Sequence, residues 1–333
     1  MHKLKPLILL MLLALLLVGC SSSASQPEPP ESPEESPETE PIPEEEPEPE
    51  PEPGLPAAYM VMIDNSKNAR PQHGLSKADV VHEFICEAGV TRLLAAFYSR
   101  DPGFVGPIRS IRYYYLHVAK AYDLPLAHVG GSMNALELRQ ELGVKSICDI
   151  TNAGGAFYTD PQRSRPHSTY ITSESLLSVA SRRGYPTLGL PELPLGDFVG
   201  THAVNEVEIA YSPSYKVSWV YQPEEQHYIR LVNGEPHPTA EDDPIVAKNI
   251  ILIEAPVKTI SVPINGVQSV INVLGEGKAY FLRDGQFCSG SWRKDRPEDH
   301  FSYRLNDGTE FAYAEGSVWV QQVPSLSRDV IAE

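Results

Sequence analysis

Cysteine is scarce: the chain has four in 333 residues, and no two form a CxxC pair. That excludes a disulfide scaffold and a cysteine-based zinc site. With no HExxH or other close His/Asp cluster, the usual sequence marks of a catalytic metal are missing too. Cys86 and Cys148 lie in the apolar strand-like runs "EFICEAG" and "KSICDIT", where cysteine reads as a small buried hydrophobe; a Cys86–Cys148 disulfide is the alternative. Basic residues are few as well, 27 Lys and Arg against 44 Asp and Glu, a formal net charge of −17. This balance argues against nucleic acid as a partner.

Long apolar runs are missing except at the start. Lys3 and Lys5 precede "PLILLMLLALLLVG", which is too short and too close to the terminus for a stable membrane span and reads as a signal peptide over residues 1–19. Its end, Leu17-Val18-Gly19-Cys20, resembles a bacterial lipobox, with Cys20 as the lipidation site. Two acyl chains on that cysteine give stable attachment where one is marginal, so the expectation is a protein anchored to the cell membrane on its extracytoplasmic face without spanning it. Residues 21–56 hold 12 Pro and 12 Glu and almost nothing that builds a core, which marks residues 20–56 as the lipidated cysteine and a linker. Extended as polyproline II at about 3.1 Å per residue, that linker would reach on the order of 100 Å. It also carries much of the acidity: 32 acidic and 25 basic residues remain from Ala57 onward, close to −7.

The 277 residues from Ala57 exceed one small core and suggest two domains. Over 57–195 strand-like and helix-like segments alternate: "AYMVMID", "DVVHEFICEAG", "TRLLAAFYS", a helix "SIRYYYLHVAKAYD", a strand "PLAHVGG", a helix "MNALELRQELG" and "SICDIT". Over 200–333 helical periodicity disappears, and short strands such as "KVSWVYQP", "HYIRLVNG", "KAYFLRDGQ" and "SVWVQQV" end in Asn-Gly, Asp-Gly or Gly-rich turns. The fold class expected is α+β: an N-terminal α/β-type domain with a mixed sheet, followed by a C-terminal mostly-β domain.

"MIDNSKNARPQHGLSKADVVHEFICEAGVTRLLAAFYSRDPGFVGPIRSIR", with "AHVGGS" and "RPHSTY", resembles the YerB-like lipoproteins of Gram-positive bacteria, and "AKNIILI", "GEGKAYFLRDGQFCSGSWRK" and "GSVWVQQVP" resemble the second domain of that family. The resemblance implies a lipid-anchored surface protein of two domains and assigns no activity.

Chemistry must come from the residues. Ten arginines and four lysines fall in 57–195, and Arg70, Arg92, Arg109, Arg112, Arg163 and Arg165 lie in loops or at element ends. The planar guanidinium fork grips carboxylate or phosphate, which favours a specific anion site. In "VGPIRSIRYYY", Ser110 is placed to cap a helix, which would set Arg109 at its N-terminus and Arg112 one turn on. Their counter-charge is then either an external anion or a carboxylate such as Asp64, Asp79, Glu83 or Glu87. His128, ahead of a Gly-Gly turn, and His167, in "RSRPHSTY", complete the candidate anion site.

Three functions follow as expectations. The first is binding of an anionic cell-envelope ligand, a wall polymer or envelope protein, through this arginine cleft. The element order is also similar to the LytR-CpsA-Psr enzymes, which implies phosphotransfer on polyprenyl-phosphate-linked glycans with Asp64 or Asp79 holding magnesium; no other cofactor is expected, and "SIPRD" is missing. The third is a ligand-free envelope scaffold. Trp219, Trp292 and Trp319 form either a partner surface or the core of the β domain.

Overall fold

In a computed structural model, the described residues are 57–187, 193–262 and 266–333. The signal segment, Cys20 and the whole Pro/Glu linker lie outside them. Among the described residues no helix is long and apolar enough to cross a membrane.

The apolar runs of the first half form strands β1 (Tyr59–Asp64), β2 (Val80–Ile85) and β3 (Thr91–Phe97), every residue of which is buried. Helix α1 (Tyr113–Tyr122) leads to β4 (Leu126–His128), and helix α2 (Met133–Glu141) to β5 (Ser146–Cys148). Helix α3 (Ser173–Arg182) starts with a true cap, Thr172 Oγ1 accepting the Ser175 N–H at 3.1 Å. The second half adds β6 (Glu206–Ser212), β7 (Tyr215–Gln222), β8 (His227–Val232), β9 (Asn249–Glu254), β10 (Gly275–Arg283), β11 (Gln286–Lys294), β12 (Ser302–Leu305), β13 (Val318–Val323) and β14 (Val330–Ala332). Asn233-Gly234 and Asp284-Gly285 have positive φ at both positions, the geometry their sequences favour in tight hairpins.

An eleven-stranded mixed sheet runs in the order β12-β11-β10-β9-β13-β2-β3-β1-β4-β5, with His202–Ala203 pairing on β11. The strands β1, β4 and β5 are mutually parallel, and β13 lies parallel to both β9 and β2. A strand from near the end of the chain is therefore inserted beside β2, so the halves 57–195 and 200–333 are joined through one sheet. A second sheet of six strands is built on β8, β7, β6 and β14. The fold is α+β with a mixed sheet, and the second half is mostly strand, with one helical turn at Leu326–Asp329.

Side-chain alternation divides the centre of the large sheet into two faces. Phe84 stacks on Tyr115 of α1 at 5.2 Å between ring centroids, and His82 donates to or accepts from Tyr122 at 2.9 Å. On the opposite face Glu83, Trp319 and Gln321 meet the second sheet. Trp219 packs edge-on against Trp319 at 5.2 Å. All three tryptophans are core residues. The cysteines Cys86, Cys148 and Cys288 are buried and free, so the alternative Cys86–Cys148 disulfide does not form.

Glu83 and Arg230 lie between the sheets with no exposed surface. One guanidinium nitrogen, Nη2 of Arg230, donates to both carboxylate oxygens at 2.8 Å. Thr91 and Tyr215 donate to Oε1 at 2.7 and 2.9 Å, and Trp319 and Gln321 to Oε2 at 2.9 and 3.1 Å. Burial alone pushes the Glu83 carboxyl up. The Arg230 charge and these hydrogen bonds outweigh it and hold the group below its ordinary 4.5.

Removing one partner of such a pair leaves a charge in a dry interior. Glu83→Gln should therefore lower unfolding free energy by roughly 3–5 kcal/mol, measured by urea denaturation, with part of the loss recovered in Glu83→Gln/Arg230→Met. The sign with pH follows from a depressed folded-state value. The contribution is complete above 4.5, where the unfolded carboxyl is already ionised, and is lost as pH falls through the folded value. The wild type should accordingly lose stability more steeply than Glu83→Gln on acidification below pH 4.5.

Candidate functional site

The ends of β1 and β4 carry the site. Between them runs Ile108–Ile111, held extended: Ile108 bridges Ile63, the Arg109 N–H donates to Met62 O at 2.8 Å, the Val129 N–H donates to Arg109 O at 3.0 Å, and Ile111 bridges Gly131. This tertiary pairing overrides the helix start expected at Ser110. The N-cap is Arg112, and Arg109 sits on extended backbone, so the two arginines are not a helical turn apart.

One residue beyond the Ile111–Gly131 bridge, Arg112 and Ser132 begin α1 and α2 side by side. Neither makes a side-chain cap, and Ser132 Oγ is buried without a hydrogen-bond partner among the described residues. Gly130 takes a left-handed φ of 59°, and a Cβ on Gly131 would lie 2.8 Å from Ile111 Cγ1, so this turn requires its glycines. His128 supports it from below, its ring bonded to Gly130 O at 2.8 Å and Ser146 Oγ at 2.7 Å. Fully buried and doubly bonded, His128 positions the turn and does not present itself to a ligand.

The charges around this point are unequal. Arg112 grips Glu87 through Nε and Nη2 at 2.6 and 3.0 Å. Arg92, buried, donates to Ser110 O at 2.6 Å and approaches Glu87 to 3.8 Å. Arg109 Nε lies 3.2 Å from Asp64 Oδ2, yet no aligned partner satisfies it among the described residues. Three guanidinium groups thus share two carboxylates. Arg109 is the more open member of its pair, its side chain 24% exposed against 5% for Asp64. Burial and then the Arg92 charge lower its pKa, against the pull of Asp64.

Asp64 is further engaged by His167 Nδ1 at 2.7 Å and by the Ser66 N–H at 2.9 Å. The structure thus brings together Asp64, Arg92, Arg109, Arg112 and His167. It withdraws others. Arg70 donates to Asn65 O at 2.8 Å and lies over the Tyr215 ring; Arg163 donates to Ala69 O and Pro71 O at 2.9 and 3.0 Å; Arg165 is exposed. Asp79 accepts the N–H groups of Tyr98 and Ser99 at 2.6 and 2.9 Å, and the Ser99 hydroxyl. Asp64 pairs in register with Arg92, and Arg92 with Phe84, so Asp79 stands five residues away along β2. That is roughly 16 Å at about 3.3 Å per residue, which separates the two aspartates considered for one metal. Among the described residues no three His, Cys, Asp or Glu gather for a cation.

Sequence reasoning missed Ser132, although a serine directly ahead of a run of good helix formers is a helix-start signal. It also missed Arg230, whose partnership with Glu83 spans 147 positions and leaves no local pattern.

Comparison with known proteins places this geometry. The model for "Protein of unknown function (DUF3048) N-terminal domain" matches residues 45–186, and that for the C-terminal domain of the same description matches 207–320. "Putative lipoprotein YerB" of Bacillus subtilis (strain 168) is 26% identical over 280 residues, covering 82% of this chain and 83% of that protein. The chain belongs to the YerB-like family. The crystal structure of YerB protein from Bacillus subtilis matches with a TM-score of 0.75 at 25% identity, over 84% of this chain and 94% of that chain. The YerB-like fold therefore extends across both halves.

The two arginines of "PIRSIR" should separate in their effects. Arg112→Ala leaves Glu87 without its bidentate partner and should cost roughly 1–3 kcal/mol. Arg109→Ala leaves Asp64 held by His167 and Ser66 and should cost about 1 kcal/mol or less, both read from urea midpoints.

Proposed function

We propose that this YerB-like protein is a lipid-anchored, extracytoplasmic envelope protein that binds an anionic envelope ligand beside Arg109. The lipobox-like Cys20 and the name of the Bacillus relative support the anchor. The observation that carries the binding site is a partly matched guanidinium: Arg109 is the more exposed member of its 3.2 Å pair with Asp64, its Nε has no aligned partner among the described residues, and it lies on the segment leading into α1, whose start, like that of α2, has no side-chain cap. Helix N-termini favour negative charge, and a phosphate or carboxylate there would accept from Arg109, the free N–H groups and the Ser132 hydroxyl together.

This reading is favoured over phosphotransfer by what the carboxylates already do. Asp64 is engaged by Arg109 and His167, and Asp79 holds the Tyr98–Ser99 turn. A bound polymer with repeated phosphates would gain from avidity, and the linker would let the folded part meet it away from the lipid surface.

Binding should be read by co-sedimentation with cell-wall preparations that retain or lack their anionic polymers. Wild type is expected to sediment with the anionic walls, less so at high salt, while Arg109→Ala stays in solution with a melting temperature lowered by no more than about 4 °C. Equal sedimentation of Arg109→Ala would contradict the reading. Cys20→Ala should move the protein from the membrane fraction to the soluble fraction without altering wall binding.

A further inference from the structure

On its α1 face the large sheet borders a partly open cavity of about 320 Å³, none of whose lining residues belongs to the Arg109 site. That is at the small end of ligand pockets, roughly 300–1,000 Å³. Its floor is Val80 and His82 of β2 with Val318 and Val320 of β13, the residues that alternate with the buried Glu83 network on the other face. Val118, Ala121 and Tyr122 of α1 form one wall. Phe301, Tyr303, Phe311 and Tyr313 form the other, so the space is mainly aromatic and aliphatic.

Two polar features do not fit a mere packing gap. Lys294, the last residue of β11, is 1% exposed and lines the cavity. Its ammonium donates to Pro297 O at 3.0 Å and to Asp299 O and lies 5.7 Å from the centroid of the Phe301 ring, so two of its three donors go to carbonyls and the third meets no oxygen or carboxylate among the described residues. Burial lowers it to about 8 against the pull of Asp299 and Glu298. His82 is 3% exposed, and its Nδ1 has no partner among the described residues. Burial first, then His300 and Lys294, bring it down to about 3, which makes it a neutral ring able to donate or accept one hydrogen bond. The other charged or titratable groups facing this point are His117 and His300 and, on the acidic side, Glu298 and Glu310 at the rim.

We propose that this cavity is a second binding site, for a small apolar carboxylic acid whose hydrocarbon body fills the aromatic space and whose carboxylate takes the free donor of Lys294 and the free nitrogen of His82. A neutral apolar molecule would leave the buried ammonium without a directly bonded carboxylate, and a multiply charged one would strand further charge in an apolar wall. The site is independent of the Arg109 reading and uses none of its residues.

The test uses the full chain carrying Cys20→Ala, so that no attached acyl chain competes, titrated with decanoate and with decanol in a calorimeter. Decanoate should saturate a single site and bind about tenfold or more tighter than decanol, since hydrogen bonds to charged groups are the stronger class. Lys294→Met should bind the two alike, and Ala121→Phe, which fills the cavity from α1, should bind neither. Absence of saturable decanoate binding, an unchanged preference in Lys294→Met, or full binding by Ala121→Phe would each overturn the proposal. Should Lys294→Met fail to fold because its loop bonds are lost, the wild-type preference and its disappearance in Ala121→Phe decide the matter.

Discussion

The Glu83–Arg230 pair is the constraint on which the rest depends. Two charges with no exposed surface are tolerable only when each is met by the other and by a shell of donors and acceptors; here both Glu83 oxygens are engaged, and of the Arg230 nitrogens Nη1 and Nη2 are bonded while Nε has no partner among the described residues. That shell is drawn from β2, β3, β7, β8 and β13 and therefore fixes how the large and small sheets meet. It also reaches the site. Asn65, which follows β1, is held by Glu83, Thr91 and Tyr215 at 3.3, 2.7 and 2.6 Å, and Asp64 is its neighbour in sequence. Arg70, stacked over Tyr215 and bonded to Asn65, belongs to this support.

The two ionic centres differ in a way that separates structure from function. Around Glu83 every carboxylate lone pair is addressed, and water is excluded. Such a centre can contribute to specificity of the fold but has nothing left to offer a ligand. Around Arg109 three guanidinium groups face two carboxylates, one member is partly exposed, and the nearby chain starts two helices without side-chain caps. The proposed anion site therefore lies at the ends of β1 and β4, apart from the fixed ionic centre between the sheets.

Local patterns revealed the strands, the Asn-Gly and Asp-Gly turns and helix α2, because alternation, turn chemistry and helical period are short-range properties. The opposed faces of β2 followed from alternation alone, with Glu83 on one side and His82 and Phe84 on the other. The start of α1 was not legible. Ser110 has the residue type of a cap, but Ile108 and Ile111 are taken by bridges to Ile63 and Gly131, contacts that no local window contains. The same holds for the arginines. Their abundance pointed to an anion site, whereas which of them are taken up by internal partners (Arg70, Arg92, Arg112, Arg163) depends on which carboxylates and carbonyls the fold brings within reach.

The central claim is that an anion is received by two helix starts and one guanidinium acting together. The most direct measurement is an amide and arginine Nε–H NMR titration of the folded protein with inorganic pyrophosphate. The account predicts that the N–H signals of Tyr113, Met133 and Asn134 and the Nε–H of Arg109 shift along one saturable curve, while that of Arg230 does not move. Shifts scattered over surface lysines, or no saturation at these four groups, would contradict it.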